Sequence, residues 1–221
     1  LALAMTWHLV HFHYVKFNKE SMYEVSKKII LLCIPLLLSA QFIAGILNEA
    51  LDLTDTNQEL FISMSHNIFG VLSIAIVVPI LEEVLFRGAI EGHLLRKGWS
   101  PKWAILVSAL IFGIIHGNPA QIPFAFLIGL LFGWLYYRTG SLVPGIVGHI
   151  INNSFGAWTM FTATREELSQ TTMETLGTTI TYILLVLAII VFIGMYLYLN
   201  KYLPKPTNIQ VKAINEQDIT I

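Results

Sequence analysis

Two adjacent carboxylates and a guanidinium, Glu82, Glu83 and Arg87, stand inside the apolar stretch VVPILEEVLFRGAIEG, residues 77–92. His116 closes a second apolar stretch in FGIIHGN, and His149, Asn152 and Asn153 interrupt a third in GHIINNSF. Carboxylates and imidazoles transfer protons, amides and imidazoles hold developing oxyanions, and Glu with two His can bind Zn²⁺. Ionisable side chains within apolar spans are costly to bury, so each is a functional candidate.

Spacing divides the roles. Adjacent helical residues point about 100° apart, so Glu82 and Glu83 are expected not to share one pocket. Glu83 and Arg87, at i and i+4, share a face and can form an ion pair that orients the helix. Glu82 is then free to take a proton from water. His149 and Asn153 are also i and i+4, which aims both from one face at an oxyanion. Phe112 lies one turn before His116, and Gly113 and Gly117 are expected to permit close helix approach there. The bland alternatives are a structural ion pair for Glu83 and Arg87 and simple interhelical hydrogen bonds for the histidines.

These groups need helices to carry them. The chain has 221 residues, of which 55% are hydrophobic and 12% charged, about half the charged fraction of a soluble domain. With a net charge of -1 it lacks the basic face that nucleic acid demands. Apolar runs fall at roughly 1–15, 29–48, 67–90, 102–117, 120–137, 142–161 and 177–199, each near the ~20 residues that cross a hydrocarbon layer. The fold expected is all-α: a polytopic transmembrane bundle of about seven helices, with Pro35 and Pro79 as kinks. The run 102–117 is short enough to be re-entrant instead. Counted at ~1.5 Å per residue from the basic boundaries, Glu82, His116, His149 and Asn153 lie roughly 21, 21, 12 and 18 Å deep. Three helices thus bring polar groups to one level, as a single site requires.

Charge also orients the bundle. Twelve of the 13 Lys and Arg fall on alternate connections or lean toward them, Arg165 being the exception. Glu49, Asp52, Asp55, Glu59, Glu166, Glu167 and Glu174 occupy the opposite ones. The positive-inside rule then puts the C-terminus in the cytoplasm. Seven spans that begin outside, and an opening LALAMTW without Met, lead us to expect one further helix upstream, eight in all. The expected organisation is a membrane core over 1–203 and a polar cytoplasmic tail over 204–221.

At the polar positions the sequence resembles the CPBP intramembrane proteases, the CAAX prenyl endopeptidases and bacterial Abi-type proteins. The family pattern EExxxR is met by Glu82, Glu83 and Arg87, FxxxH by Phe112 and His116, and HxxxN by His149 and Asn153. The resemblance implies a hydrolase in which Glu82 and His116 activate water while His149 and Asn153 stabilise the tetrahedral oxyanion. It also implies a peptide or protein tail presented at the bilayer as substrate and, for a bacterial protein, a plasma-membrane location. No cofactor is expected. A zinc-dependent version would use Glu82, His116 and His149 as ligands.

Other intramembrane chemistries lack their residues. HExxH is absent, Asp52, Asp55 and Asp218 all lie in connections or the tail, and no Gly-x-Ser-x-Gly surrounds Ser141. A transporter or proton relay using the same Glu and His remains the alternative. An Asn one turn after His favours hydrolysis over relay, because an amide holds an oxyanion but does not titrate. The solitary Cys33 reads as a buried thiol, and Gly129 with Gly133 as an internal packing stripe. His8, His11 and His13 in WHLVHFHY, with His66 and His93, read as interfacial residues.

Overall fold

A computed structural model describes residues 25–203, together with Trp7, His8, His11 and Val15 ahead of them. The expected helix over 1–15 falls largely outside the described residues, as do Lys16, Lys19, His13 and the tail 204–221. Among the described residues there are nine helices and no strand. They are α1 (Lys27–Glu49), α2 (Gln58–Ser65), α3 (Ile68–Arg96), α4 (Pro101–Ile115), α5 (Ile122–Thr139), α6 (Val143–Thr162), α7 (Arg165–Ser169), α8 (Thr172–Leu176) and α9 (Thr178–Tyr202).

The protein is an all-α integral membrane bundle, and among the described residues four helices have the length and apolarity of a span: α1, α3, α5 and α9. α4 is apolar but has only 15 residues, about 22 Å of helix. α6 has the length, at 20 residues, but His149, Asn152 and Asn153 dilute its apolar face. Its His149 face is buried and its polar groups find partners within the protein, while Phe155, Trp158 and Phe161 are exposed.

Local sequence sets the boundaries. Pro101 opens α4 in its first turn, where a missing N–H costs nothing. α5 ends on Gly140 at φ 68°, the left-handed stop that glycine accepts without strain. The short α7 and α8 each begin with a capping box, Thr164 with Glu167 and Thr171 with Glu174. Hydrogen bonds from those threonine backbones and hydroxyls hold both glutamates below the usual carboxylate range.

α3 departs from regular α geometry. Its Ser73–Val77 and Val84–Glu91 segments are wide π-helical turns flanking an α segment at Val78–Glu83. In the first wide turn the Val78 N–H reaches back to Ser73 O. The next donor in that register, for Ile74 O, is Pro79, which has none. The orphaned carbonyl accepts instead from Asn153 Nδ2 of α6 at 2.9 Å. A proline in α3 is therefore what ties α6 to it.

The main core joins Cys33, Leu36, Leu37 and Ala44 of α1 to Ile128, Leu131, Phe132 and Leu135 of α5, closed by Leu199 and Leu203. α9 otherwise exposes apolar side chains on most of its surface, as a helix bathed in lipid does. Arg138 anchors its end: Nη1 donates to Asn200 Oδ1, and Nη2 donates to Asn200 O and Leu203 O at 2.9 Å each. At the far end of α4, the buried Asn118 donates to Asp55 Oδ1 at 2.7 Å and accepts from Thr56 N at 3.1 Å. Asn48 donates to Ala120 O at 2.8 Å. The turn after His116 is thus clamped to the connection that follows α1.

Arg138→Met should release the last carbonyls of α9 at a cost of roughly 1–3 kcal/mol. The expected outcome is a lower melting temperature in detergent and faster amide exchange at 199–203, with the α3 amides unchanged.

Candidate active site

α3 carries Glu83, the last residue of its α segment, and Arg87, in its second wide turn, into the protein, where both are essentially inaccessible, at 0% and 1% exposure. Arg87 Nη1 donates to Glu83 Oε1 at 2.9 Å. Nη2 donates to Gly129 O of α5 at 3.1 Å, and the guanidinium carbon lies 4.4 Å from the Phe112 ring centroid and 5.3 Å from that of Phe132. Charge, hydrogen bonds and two aromatic faces together offset the desolvation of this ion pair. Gly145 of α6 makes room for it, since a Cβ there would stand 2.6 Å from Glu83 Oε2.

His149 is the junction. Its Nδ1 lies 3.2 Å from Glu83 Oε1 and its Nε2 lies 3.4 Å from Glu82 Oε2. This corrects the expectation that adjacent glutamates cannot serve one pocket. The imidazole spans the angle between them by offering opposite edges, one nitrogen to each carboxyl, and the glutamate side chains are long enough to converge. Exposure still separates the two: the Glu82 side chain is 23% exposed and that of Glu83 1%. Glu82 can meet solvent or substrate, whereas Glu83 is sealed behind His149.

His116 reaches the site through Phe112. The Phe112 ring stands edge-on to His116 at 5.0 Å and to His149 at 5.7 Å. His116 Nδ1 donates to Phe112 O at 2.7 Å, which leaves Nε2 of the neutral ring as an acceptor. Glu82 and His116 line one cleft of about 200 Å³, walled by Val78, Leu81, Leu85, Phe86 and Ile115. Ser108 Oγ, donating to Phe86 O at 2.8 Å, pins α4 to α3 at the base of that cleft. Gly113 does allow close approach, with Ile122 O 3.0 Å from its Cβ position. Gly117, at φ 61° with open space around it, instead forms the left-handed turn after His116.

Asn153 stands one turn beyond His149 and is half-buried. One of its amide N–H groups is committed to Ile74 O, and its Oδ1 accepts from Asn152 Nδ2 at 3.1 Å. One amide N–H of Asn153 is left over. Glu82, Glu83, Arg87 and His149 are therefore linked by direct contacts, His116 shares the cleft with Glu82, and Asn153 is tied to Ile74 of α3 one turn beyond His149. Among the described residues no three His, Cys, Asp or Glu form a ready metal-binding set. Glu91 escaped the sequence reading because it falls one residue past the end drawn for its span. It is wholly buried, and the available signal was its place at i+8 from Glu83 and i+4 from Arg87.

The segment that builds this site also carries the family signal. Residues 64–155 match the family model of type II CAAX prenyl endopeptidase Rce1-like proteins. The matched segment runs from the end of α2 through α3, α4 and α5 into α6, past His149. The chain is 38% identical over 81 residues to the candidate membrane peptidase YdiL of Bacillus subtilis (strain 168), covering 37% of this chain and 33% of that protein. It is 33% identical over 106 residues to the membrane-embedded CAAX protease MroQ of Staphylococcus aureus (strain USA300), covering 46% and 42%. The UPF0177 protein YxdF of Lactococcus lactis subsp. lactis (strain IL1403) is 28% identical over 122 residues, covering 55% and 63%. The chain thus spans between a third and somewhat under two thirds of the length of these relatives. No solved structure matches it significantly. Together the Rce1-like match and these relatives support an intramembrane peptidase in general terms.

Removing the cation alone should be severe. Arg87→Met leaves Glu83 buried without its counter-ion and should destabilise the protein by about 3–5 kcal/mol. Adding Glu83→Met should recover most of that loss in thermal melts, although not the hold on His149.

Proposed function

We propose that the chain is an intramembrane endopeptidase that hydrolyses a peptide bond with water held between Glu82 and His116. The observation that carries this reading is the shared cleft: the partly exposed Glu82 and His116 border one space, and His149 Nε2 lies 3.4 Å from Glu82 Oε2. Glu82, as carboxylate, takes a proton from the water as its oxygen attacks the scissile carbonyl. The negative charge that develops on the carbonyl oxygen is met by the uncommitted amide hydrogen of Asn153 and by the His149 Nε2–H, which Glu82 releases as it turns to the water. Collapse of the tetrahedral intermediate breaks the C–N bond, and the proton on Glu82 passes to the leaving amine. Glu83 and Arg87 do not touch the reacting atoms; they keep His149 in place.

The substrate in this reading is a peptide or protein tail presented at the membrane, and the apolar cleft walls suit an aliphatic side chain beside the scissile bond. The membrane core over 1–203 works with its C-terminal tail in the cytoplasm, in the plasma membrane if the source is bacterial. The reaction needs no metal, and zinc on Glu82, His116 and His149 is the alternative to be tested beside it.

The test uses detergent-solubilised protein and a peptide library. Glu82→Gln, His116→Ala and His149→Ala should each lower cleavage by about 10²–10⁴-fold without loss of folded protein, and a chelator should leave the wild type unaffected. Chelator sensitivity would move the mechanism to zinc. Equal cleavage by every variant would remove the enzyme reading and leave solute transport or proton relay.

A further inference from the structure

α1 supplies none of the proposed chemistry and lies outside the matched segment 64–155, yet it carries a polar side chain, Gln41, in the apolar stretch LLLSAQFIAG. Counted at ~1.5 Å per residue from Lys27, Gln41 lies about 21 Å along the helix, the depth counted for Glu82. An amide at that depth is costly unless a group inside the protein accepts its hydrogens. Gln41 Nε2 donates to Gly148 O of α6 at 3.2 Å. That oxygen belongs to the peptide group whose nitrogen is that of His149. The bond from α1 therefore holds the backbone unit from which the imidazole projects.

Packing brings α1 to this point. Gly148 has no Cβ, and one built there would stand 2.6 Å from Leu37 Cδ1 and 3.2 Å from Phe132 Cε1. α1 and α5 thus press on α6 at the residue before His149, and Leu37 and Gln41, at i and i+4, share the face of α1 that does so. Phe132 also lies against the imidazole itself, with ring centroids 5.4 Å apart at 37°. The two ring nitrogens of His149 face Glu83 and Glu82 of α3, while the peptide group behind the ring is tied to α1. A second amide of α1, Asn48, lies two helical turns further on and donates to Ala120 O at 2.8 Å. It holds a different segment, the turn that follows His116.

We propose that Gln41 is a positioning residue for His149: its amide fixes the Gly148–His149 peptide group, and with it the reach of the ring to Glu82 and Glu83. Without that bond α6 can slide along α1, and the Nε2 contact with Glu82, at 3.4 Å the longer of the two, opens first. The kinetic part of this inference rests on the peptidase reading; the spectroscopic part does not.

The test is Gln41→Met, which keeps the length of the side chain and removes the donor, in the full chain in detergent. Expected are a fall in kcat of about 10- to 100-fold with KM unchanged, shifted ¹⁵N signals for the His149 ring, and unshifted ones for His116. Asn48→Met removes an amide from the same helix and should leave the His149 signals where they are. Gln41→Asn keeps the amide but is too short to reach Gly148 O, and it carries the same expectation if Gln41→Met does not fold. Unchanged His149 signals in a folded Gln41 variant, or an unchanged kcat in an active one, would overturn the inference. So would an equal His149 shift from Asn48→Met, which would mark a general loosening of α1. If even the wild type cleaves nothing, the peptidase reading fails, and the His149 signals alone decide the role of Gln41.

Discussion

A carboxylate that no solvent reaches must find its donors inside the protein, and Glu83 Oε1 finds two. Arg87 Nη1 approaches from its own helix at 2.9 Å and His149 Nδ1 from α6 at 3.2 Å. Because breaking such a pair strands a charge in a low-dielectric interior, the helices that supply these groups are bound to one another through it. α5 joins by offering Gly129 O and Phe132 to the guanidinium, and α4 by laying Phe112 against it. What fixes the ion pair also fixes the ring whose opposite edge meets Glu82.

The geometry of α3 follows from the same demand. A regular α-helix containing Pro79 would leave one carbonyl without a donor, and the wide turn before it determines which one. That carbonyl, on Ile74, becomes the anchor of Asn153, so a helix defect supplies the second tie between α3 and α6. Wide turns of this kind recur at functional sites because they redirect side chains without ending the helix. Here they lie on both sides of Glu82 and Glu83.

Much of this was legible in the sequence because membrane burial makes polar residues conspicuous. Glu82, Glu83, Arg87, His116, His149 and Asn153 stand out against apolar neighbours, and helical rise alone brought them to one depth. The pairing of Glu83 with Arg87 followed from i, i+4 spacing. Two things did not follow. Regular helix angles forbade a pocket shared by Glu82 and Glu83, but a planar ring with nitrogens on two edges can reach both, and its rotamer is not written in the spacing of α3. Glu91 was missed for a different reason: a boundary drawn by hydropathy stopped at residue 90, while the helix and its burial run on.

The central claim is that one imidazole of α6 is gripped between two neighbouring carboxyls of α3. Solid-state NMR of the protein in bilayers, with ¹³C-carboxyl glutamate and ¹⁵N-ring histidine, measures this through carbon–nitrogen dipolar dephasing at His149. The account predicts dephasing at both ring nitrogens, Nδ1 from Glu83 and Nε2 from Glu82, as contacts of 3.2 and 3.4 Å between nitrogen and oxygen require. Dephasing at only one nitrogen, or at neither, would contradict it.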